Sequence, residues 1–522
     1  MRSLMVDQAA QAPVTLRRDA IGLREVLFQS ITDMAPGAAI AASIPAGAAF
    51  AGGALPLAVL FALIACLFCA VSIAELAKRI PSAGSLATYA AQGLHDSVGF
   101  LVAWAYVFAG ALIGPLVLLQ LGFTVAGTFH DEWSSYPANL WWPWTVLGAV
   151  IVAVAGLYGV RTSARLGTVL GVFEIAVFLV LGVLLVMHAG KANTLSVFGT
   201  GHTPSSGTYH GISGVIAGSV FTTLAFGGFE GAAPLAEETR NPRRTIRRAV
   251  LGATLGMGAL YIFTTYAVDV AFGPGKFSTF GAATSPGWEG LARTFYGLFW
   301  ILVFLAIVNS TIANANAGVN VTTRTAFAMG RIGAFPYIFA RLALRHRSPY
   351  VAIGAVFVVT VAVSLGLGLH YNPFVAFSMV ATGIVILLVG IYIFANISCM
   401  GYFLRRGRGR SEFNVVLHVI VPILGVVTFI PAWLTAAGIE VSFFKFIVPL
   451  PKPLNYAGYA AGIWMVLGLL YCLYLYARHP ERVADVSRVH LDEEPAVAAP
   501  SGYQPPAQAA TGSAADEPTP IA

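Results

Sequence analysis

Twelve long apolar stretches, separated by short polar connections, dominate this sequence and limit what it can fold into. A helix that crosses a bilayer needs about 20 mostly apolar residues, and it satisfies its own backbone hydrogen bonds without water. The stretches that meet this requirement lie near residues 28–51, 56–77, 98–127, 140–158, 164–188, 213–237, 246–270, 293–320, 350–369, 374–397, 415–437 and 455–477. The sequence therefore predicts an all-α integral membrane protein with twelve transmembrane helices.

Charged residues are too few for a water-soluble protein of this size. They make up 10% of the 522 residues, while 57% are hydrophobic and the mean hydropathy is +0.77. Soluble proteins carry about 25% charged residues, so a soluble multidomain enzyme is excluded. Enzymatic motifs are also missing, since the ten histidines are scattered and residues 273–277 lack the Ser or Thr of a phosphate loop. We expect no catalytic residues, no cofactor and no bound metal.

The basic residues are distributed unevenly between the two sides of the predicted membrane protein. If the N-terminus is cytoplasmic, 25 of the 30 Lys and Arg residues fall on the cytoplasmic side. The exceptions are Lys191, Lys276, Arg293, Lys445 and Lys452. The positive-inside rule then predicts a multi-pass protein of the cytoplasmic (inner) membrane with both termini in the cytoplasm. Because this basic excess faces the lipid bilayer, we do not expect nucleic acid as a partner.

Two of the apolar stretches are interrupted by proline and glycine at matching positions. The first reads T-D-M-A-P-G over residues 32–37, and the sixth reads A-F-G-G-F-E over residues 225–230. Proline removes a backbone donor and glycine lets the chain leave helical angles. At membrane depth, such breaks persist where protein or a watery cavity satisfies the freed groups. A matched pair indicates a five-plus-five inverted repeat with a binding site at the midplane.

The chain divides into four regions on these grounds. Residues 1–27 form a polar cytoplasmic segment, and residues 28–397 form a ten-helix transport core with the inverted repeat. Residues 398–477 contain helices 11 and 12 with their connections. The last region, 478–522, is rich in Ala, Pro and acidic residues, so we expect a disordered cytoplasmic tail.

Three motifs in order resemble the amino acid–polyamine–organocation (APC) superfamily of secondary transporters, in its amino acid permease branch. The most specific is F-G-G-F-E at residues 226–230, followed by A-E-E-T-R-N-P-R-R at 236–244. The sequence R-I-P-S-A-G-S at 79–85 is similar to a turn before the family's third helix. A-M-G-R-I-G-A-F-P at 328–336 is similar to the segment after its eighth helix. The resemblance implies the leucine-transporter (LeuT) type of fold, with helices 1 and 6 broken.

The resemblance also implies how the two breaks hold a substrate. Backbone amides of the first break would bind a carboxylate, and carbonyls of the sixth break would bind an ammonium group. The implied residues are Ala35, Pro36, Gly37 and Ala38 in the first helix, and Phe226, Gly227, Gly228 and Phe229 in the sixth. The family often has Gly-x-Gly where this chain has Pro36-Gly37. Leu224 stands where some relatives place a gating tryptophan, so an aromatic gate would use Phe226.

Acids within the spans are the candidates for coupling and gating, because an ionisable group inside a membrane is costly. Glu230 directly follows the sixth-helix break and matches an acid that the family uses in pH-dependent conformational change. We prefer that role to a structural carboxylate. For Glu174, in the fifth span, a proton relay and a structural role are equal alternatives. Asp33 is expected near the cytoplasmic interface and outside the site.

The eighth span carries an adjacent hydroxyl pair, Ser310 and Thr311. In sodium-coupled proteins of the same fold, such a pair binds the ion together with carbonyls of the first helix. The resemblance therefore leaves an ion site open here. Proton coupling is preferred, and sodium coupling or exchange are the alternatives.

The sequence thus predicts a secondary active transporter that imports amino acids by alternating access, with protons as the coupling ion. A polyamine would need several acids in the cavity, and only Glu230 and Glu174 stand out, so an uncharged amino acid is preferred. The alternatives are a polyamine or organic-amine carrier, an amino acid exchanger and, from a different class, a channel or nutrient receptor. The expected partners are a small-molecule substrate, the coupling ion and the lipid bilayer.

Overall fold

The computed structural model of this chain describes most of the predicted spans and their connections. The described residues are 21–82, 84–158, 164–205, 207–236, 239–281, 287–331, 333–343, 348–405 and 412–488, without the side chains of 164–167 and 486–488. Most of the predicted N-terminal segment, residues 1–20, lies outside the described residues, as does the tail from 489 to 522. Two acids of the motif after the sixth helix, at positions 237 and 238, also lie outside them.

Twelve apolar helical spans are present among the described residues, which confirms the predicted number. Ten helical runs are long and apolar enough to cross a membrane, and the shorter Trp142–Tyr158 is also apolar. One of the ten, Leu23–Arg79, contains two spans, because the chain turns at Gly52–Ala54. Within the described ranges the chain forms no strand, and one isolated bridge joins Ile21 to Thr239.

The spans are numbered in chain order. They are α1 (Leu23–Met34), α2 (Leu55–Arg79), α3 (Asp96–Glu132), α4 (Trp142–Tyr158), α5 (Ala164–Ala189), α6 (Ile212–Ala225), α7 (Pro242–Phe272), α8 (Phe299–Arg331), α9 (Tyr350–Tyr371), α10 (Pro373–Leu404), α11 (Val421–Ala437) and α12 (Tyr456–Arg478). Shorter helices lie between or after them, at Ser85–Gly93, Gly287–Tyr296 and Pro480–Arg488.

The predicted break in the first span is confirmed. The helix α1 ends at Met34, and Ala35 adopts a left-handed conformation with a φ of +46°. Helical structure resumes at Pro36–Ala38, where proline is well tolerated because the first N–H of a helix has no intrahelical partner. A π-helical turn over Ala39–Ser43 follows, and the span continues to Ala51.

The predicted break in the sixth span is confirmed as well. The helix α6 ends at Ala225, and after a turn the chain forms a 3₁₀ helix over Phe229–Leu235. Gly228, in the turn, has a φ of +106°, and an added Cβ would lie 2.7 Å from the backbone of Asp33. Only glycine accommodates both this conformation and this close approach, so the local sequence places the two breaks against each other.

Burial separates the core of the molecule from its periphery. The helix α6 is almost entirely buried and α10 is mostly buried, whereas outer helices expose large apolar side chains such as Val358, Val427 and Leu470. Apolar side chains that face outward on this scale are expected where lipid rather than water surrounds the protein. All four cysteines are buried, and none of them forms a disulfide bond.

The structure differs from the prediction at the start of the region 478–522, which was expected to be disordered. Residues Pro480–Arg488 form a helix, and Val483 packs in an apolar cluster with α3 and α12. Arg482 donates a hydrogen bond of 3.3 Å to the carbonyl of Gly333. The segment has only two valines, Val483 and Val486, among mostly charged and small residues, so the composition of the whole region did not reveal this contact.

Candidate functional site

A cavity lies where the two broken spans meet. It encloses about 860 Å³, counting the part open to solvent, and its wall includes α3, α8 and α10 as well as both breaks. Its polar lining residues are Asp33, Ser43, Tyr106, Gln120, Glu230 and Asn314. Within the described lining there is no Lys, Arg or His, so the ionisable side chains here are acids and one tyrosine.

The structure brings half of the predicted substrate-binding residues to this cavity. Those in its wall are Ala35, Ala38, Gly227 and Gly228. Those outside the lining are Pro36, Gly37, Phe226 and Phe229, all of which are fully or largely buried. The eight residues were predicted to contact the substrate through backbone N–H and carbonyl groups. The hydrogen bonds within each break therefore decide which of these backbone groups are free to bind a substrate.

Most amides of the first break are already engaged. The N–H of Ala35 donates to the carbonyl of Thr32 at 3.1 Å, and Pro36 has no N–H to offer. The N–H of Gly37 donates to Oε2 of Glu174 at 3.3 Å. Of the three amide N–H groups that the four predicted residues offer, that of Ala38 is therefore the best placed to meet a ligand, since Ala38 lines the cavity.

Most carbonyls of the sixth break are engaged as well. The carbonyls of Phe226 and Gly228 accept backbone hydrogen bonds within the turn, at 3.2 and 2.9 Å. The carbonyl of Phe229 accepts a hydrogen bond of 3.0 Å from the hydroxyl of Ser30. Gly227 is the fourth predicted residue, and it lines the cavity.

Phe226 is not placed to act as an aromatic gate. Its ring is fully buried, lies outside the cavity lining and packs edge-on against Tyr261, with 5.3 Å between the ring centroids. Leu224 lines the cavity instead. The sequence prediction failed here because a broken helix does not keep the rotation of an unbroken one about its axis.

Glu230 joins the sixth break to α10 at the cavity wall. Its side chain is only 2% exposed, and Oε2 accepts hydrogen bonds from the hydroxyl of Tyr392 at 2.7 Å and the N–H of Gly228 at 3.2 Å. These hydrogen bonds fit two roles equally well: a permanent link between the sixth break and α10, and a link that protonation weakens. The coupling role of Glu230 therefore stays a prediction. The partner Tyr392 was not foreseen from the sequence.

Asp33 lies in the cavity wall, contrary to the expectation that it lies near the interface and outside the site. Its Oδ1 accepts from the amide of Gln29 at 3.0 Å, and its backbone carbonyl accepts from the amide of Asn314 at 3.0 Å. The carboxylate lies over Gly231, where an added Cβ would be 2.0 Å from Oδ2. Its position just before the Pro-Gly break was the signal that could have identified it.

Glu174 connects three spans behind the cavity. It is 3% exposed, and besides the N–H of Gly37 it accepts a short hydrogen bond from the amide of Asn309 on α8. Ser310 lies beside them, since an added Cβ at Gly37 would be 3.0 Å from its Cβ. The structure therefore places the predicted relay residue at the first-helix break, while its role stays a prediction.

The second hydroxyl of the predicted ion site is also buried. Thr311 donates a hydrogen bond of 2.9 Å to the carbonyl of Val308 in its own helix. Its oxygen keeps acceptor capacity, so the pair Ser310 and Thr311 stays a prediction. Within the described residues, no group of three or more His, Cys, Asp or Glu side chains could hold a metal ion.

A cavity with acidic groups in its wall, between two broken helices of a twelve-span bundle, is the arrangement of a membrane transporter with the leucine-transporter type of fold. A crystal structure of a manganese transporter from Eremococcus coleocola matches it with a TM-score of 0.53, covering 92% of this chain and 99% of that one. The sequences are 12% identical, so this likeness concerns the fold alone.

A sequence model of the amino acid permease family matches residues 25–484, and the chain therefore belongs to that family. The low-affinity putrescine importer PlaP of Escherichia coli K12 is 26% identical over 384 residues, covering 73% of this chain and 80% of the relative. The branched-chain amino acid permease BcaP of Lactococcus lactis subsp. cremoris is 23% identical over 442 residues, covering 81% and 87%. The protein is thus a multi-pass permease related to carriers of amino acids and of putrescine.

Proposed function

We propose that this protein is a secondary active transporter that imports a small organic amine by alternating access, with protons as the coupling ion. The observation that carries the proposal is the pair of acids in the cavity wall, Asp33 and Glu230, without a basic residue in the described lining. Amino acids are the second candidate substrates. The basic residues support an inner-membrane location with cytoplasmic termini.

The charge of the lining favours a cation. Carboxylates at membrane depth are stabilised when a positive group pairs with them, because the surroundings screen charge poorly. A protonated amine supplies that positive group to Asp33 or Glu230. An α-carboxylate on the substrate would instead add a negative charge beside them, and the available amides of the first break are few.

The preference for amino acids in the sequence analysis depended on the small number of candidate acids. The structure changes which acids count, because Asp33 and Glu230 share one cavity wall while Glu174 is outside the lining, and two carboxylates in one wall balance the two charges of a short diamine. Amino acids stay the second candidate on a specific ground: Ala38, with its backbone amide, lines the cavity. The similarity to BcaP supports the same candidate.

Proton coupling is supported by the partners of Glu230 and Glu174. Each carboxylate accepts backbone N–H groups at a break, from Gly228 and Gly37 respectively. A carboxyl group that takes up a proton loses acceptor capacity and becomes a donor, so protonation weakens the attachment of the broken helix. Sodium at Ser310 and Thr311 is the alternative coupling.

The test is uptake into proteoliposomes that contain the purified protein. We expect saturable uptake of radiolabelled 1,4-diaminobutane that is faster when the outside is acidic, and little uptake of leucine. Uptake of leucine with exclusion of the diamine would establish the second candidate. Dependence on a sodium gradient would contradict proton coupling, and flux that never saturates would indicate a channel.

A further inference from the structure

Gln120, on α3, is a polar residue of the cavity wall that the proposed function leaves unused. Its side chain is 1% exposed. The amide nitrogen Nε2 donates a hydrogen bond of 3.0 Å to the carbonyl of Ala38, just beyond the first break. This bond assigns the donor end of the amide to the first span, so the acceptor end is the one left for another partner.

The acceptor end of this amide is unpaired within the described part of the chain. No donor lies within hydrogen-bonding distance of Oε1 of Gln120 among those residues, although the atom is buried. Buried amide oxygens in native proteins are almost always paired, and leaving one unpaired costs free energy. A ligand N–H group in the cavity would supply the missing partner.

The positions of Gln120 and the acids suit a ligand with two separate amino groups. All three residues line the same cavity, but Gln120 contacts Ala38 beyond the first break, whereas Asp33 precedes that break. An extended chain covers roughly 1.2 Å per bond. The five bonds between the nitrogens of 1,4-diaminobutane therefore cover roughly 6 Å, so the two nitrogens can meet different parts of the cavity wall.

We propose that Gln120 forms a second polar subsite and determines specificity for substrates with a second amino group. One ammonium group binds at Asp33 and Glu230, and an N–H of the other donates to Oε1 of Gln120. The neutral amide adds no charge, so the two positive charges of the diamine match the two carboxylates. This inference rests on the proposed function and deepens it by naming the substrate class.

The experiment compares two probes that differ only in the distal amino group. Equilibrium binding of 1,4-diaminobutane and of 1-aminobutane is measured for the full-length protein in detergent. We expect the wild type to bind the diamine at least tenfold more tightly. In Gln120→Leu that preference falls to about twofold or less, because the monoamine does not use the subsite and keeps its affinity.

Two further variants keep the result decisive. Gln120→Glu retains the size of the side chain and puts a charged acceptor at the same place, so the preference for the diamine increases even if Gln120→Leu does not fold. Thr128→Val removes a buried hydroxyl from α3 outside the cavity lining and leaves the preference unchanged. Melting temperatures of all variants identify any loss of folding.

The outcomes separate this inference from the proposed function. If the wild type binds neither amine, both fail. If it binds both amines equally, or if Gln120→Leu and Gln120→Glu keep the wild-type preference, the subsite is wrong while amine transport stands. A preference that changes with Thr128→Val as well would also overturn the assignment to Gln120.

Discussion

The carboxylate of Asp33 occupies space that exists only because residue 231 is glycine. An added Cβ there would lie 2.0 Å from Oδ2 of Asp33, well inside the van der Waals distance. We expect Gly231→Ala to displace the carboxylate from the cavity wall and to weaken amine binding by about tenfold or more, since hydrogen bonds to charged groups contribute about 1.5–3 kcal/mol. Titration of the purified variant with 1,4-diaminobutane measures the effect.

A second glycine serves as the control for this substitution. Gly256 on α7 is exposed, and nothing lies within 4 Å of an added Cβ. Gly256→Ala should therefore leave amine affinity unchanged. Wild-type affinity in Gly231→Ala, with an intact melting temperature, would remove Asp33 from the binding site.

The proposed role of Glu230 in proton coupling is tested by an uncharged side chain of the same shape. In Glu230→Gln the side-chain oxygen can still accept from Tyr392 and Gly228, but it cannot take up a proton. We expect uptake to become slower and to lose its dependence on external pH between about 5 and 8. Uptake in proteoliposomes at a series of pH values measures this.

Glu440 provides the matched control, because it is an exposed acid in a loop between α11 and α12. Glu440→Gln should keep the pH profile of the wild type. If Glu230→Gln keeps it too, then Glu230 is the structural tie between the sixth break and α10, and Glu174 becomes the next carboxylate to replace.

Glu289, on the short helix Gly287–Tyr296 outside the spans, makes stability depend on pH. Its pKa is raised from 4.5 to about 7, mainly by burial and to a smaller extent by the charge of nearby Asp131, while a backbone hydrogen bond at Glu289 and the charge of Arg293 oppose the increase. The folded state therefore holds the proton more tightly than the unfolded state. The stabilisation is complete below pH 4.5 and is lost as the pH rises through about 7.

The melting temperature of the wild type in detergent should accordingly fall between pH 5 and pH 7.5. In Glu289→Gln this fall should be smaller, because the amide does not titrate. An identical pH dependence in the two proteins would show that Glu289 is charged in the folded state throughout this range.

At the scale of elements, two hydrogen bonds of Ser30 connect α1 to the 3₁₀ helix after the sixth break. Its hydroxyl donates to the carbonyl of Phe229 at 3.0 Å and accepts from the N–H of Ala232 at 2.9 Å. Both hydrogen bonds are buried. The two half-helices on this side of the breaks are therefore joined as one unit, which is what a rigid-body movement of the broken helices requires.

Ser30→Ala should separate these two elements. It leaves a buried carbonyl and a buried N–H without their partner, and we expect a loss of about 1–3 kcal/mol in stability. The melting temperature falls, and a spin label pair on α1 and the 3₁₀ helix reports a broader distance distribution. Ser30→Thr keeps the hydroxyl and serves as the control; equal behaviour of the two variants would contradict this role.

At the scale of the whole molecule, the orientation in the membrane follows from the basic residues. The exposed arginines at the start of α7, such as Arg243 and Arg247, are expected on the cytoplasmic side, and Lys276 on the opposite side. A fluorescent protein fused after residue 522 should fluoresce, and alkaline phosphatase inserted beside Lys276 should be active. The opposite pattern would contradict the proposed orientation with both termini in the cytoplasm.

The sequence by itself determined the spans and the breaks. Spans depend on the length of apolar stretches relative to bilayer thickness, and that is a local property. The breaks depend on proline and glycine, which act on their own backbone angles, so residues 34–37 and 226–229 could be identified without any tertiary contact. The family motifs are also short local patterns, and their resemblance to the APC superfamily indicated the fold type.

Only the tertiary structure decided which side chains meet in the cavity. Which side chains meet depends on how each helix is rotated and tilted against its neighbours. A break in a helix changes both its rotation and its tilt. Hence Asp33 lies in the cavity wall and Phe226 outside it, contrary to expectation. Gln120 and Tyr392 are hydrogen-bonded to Ala38 and Glu230, which are more than 80 residues away in sequence. No local sequence pattern encodes such pairings.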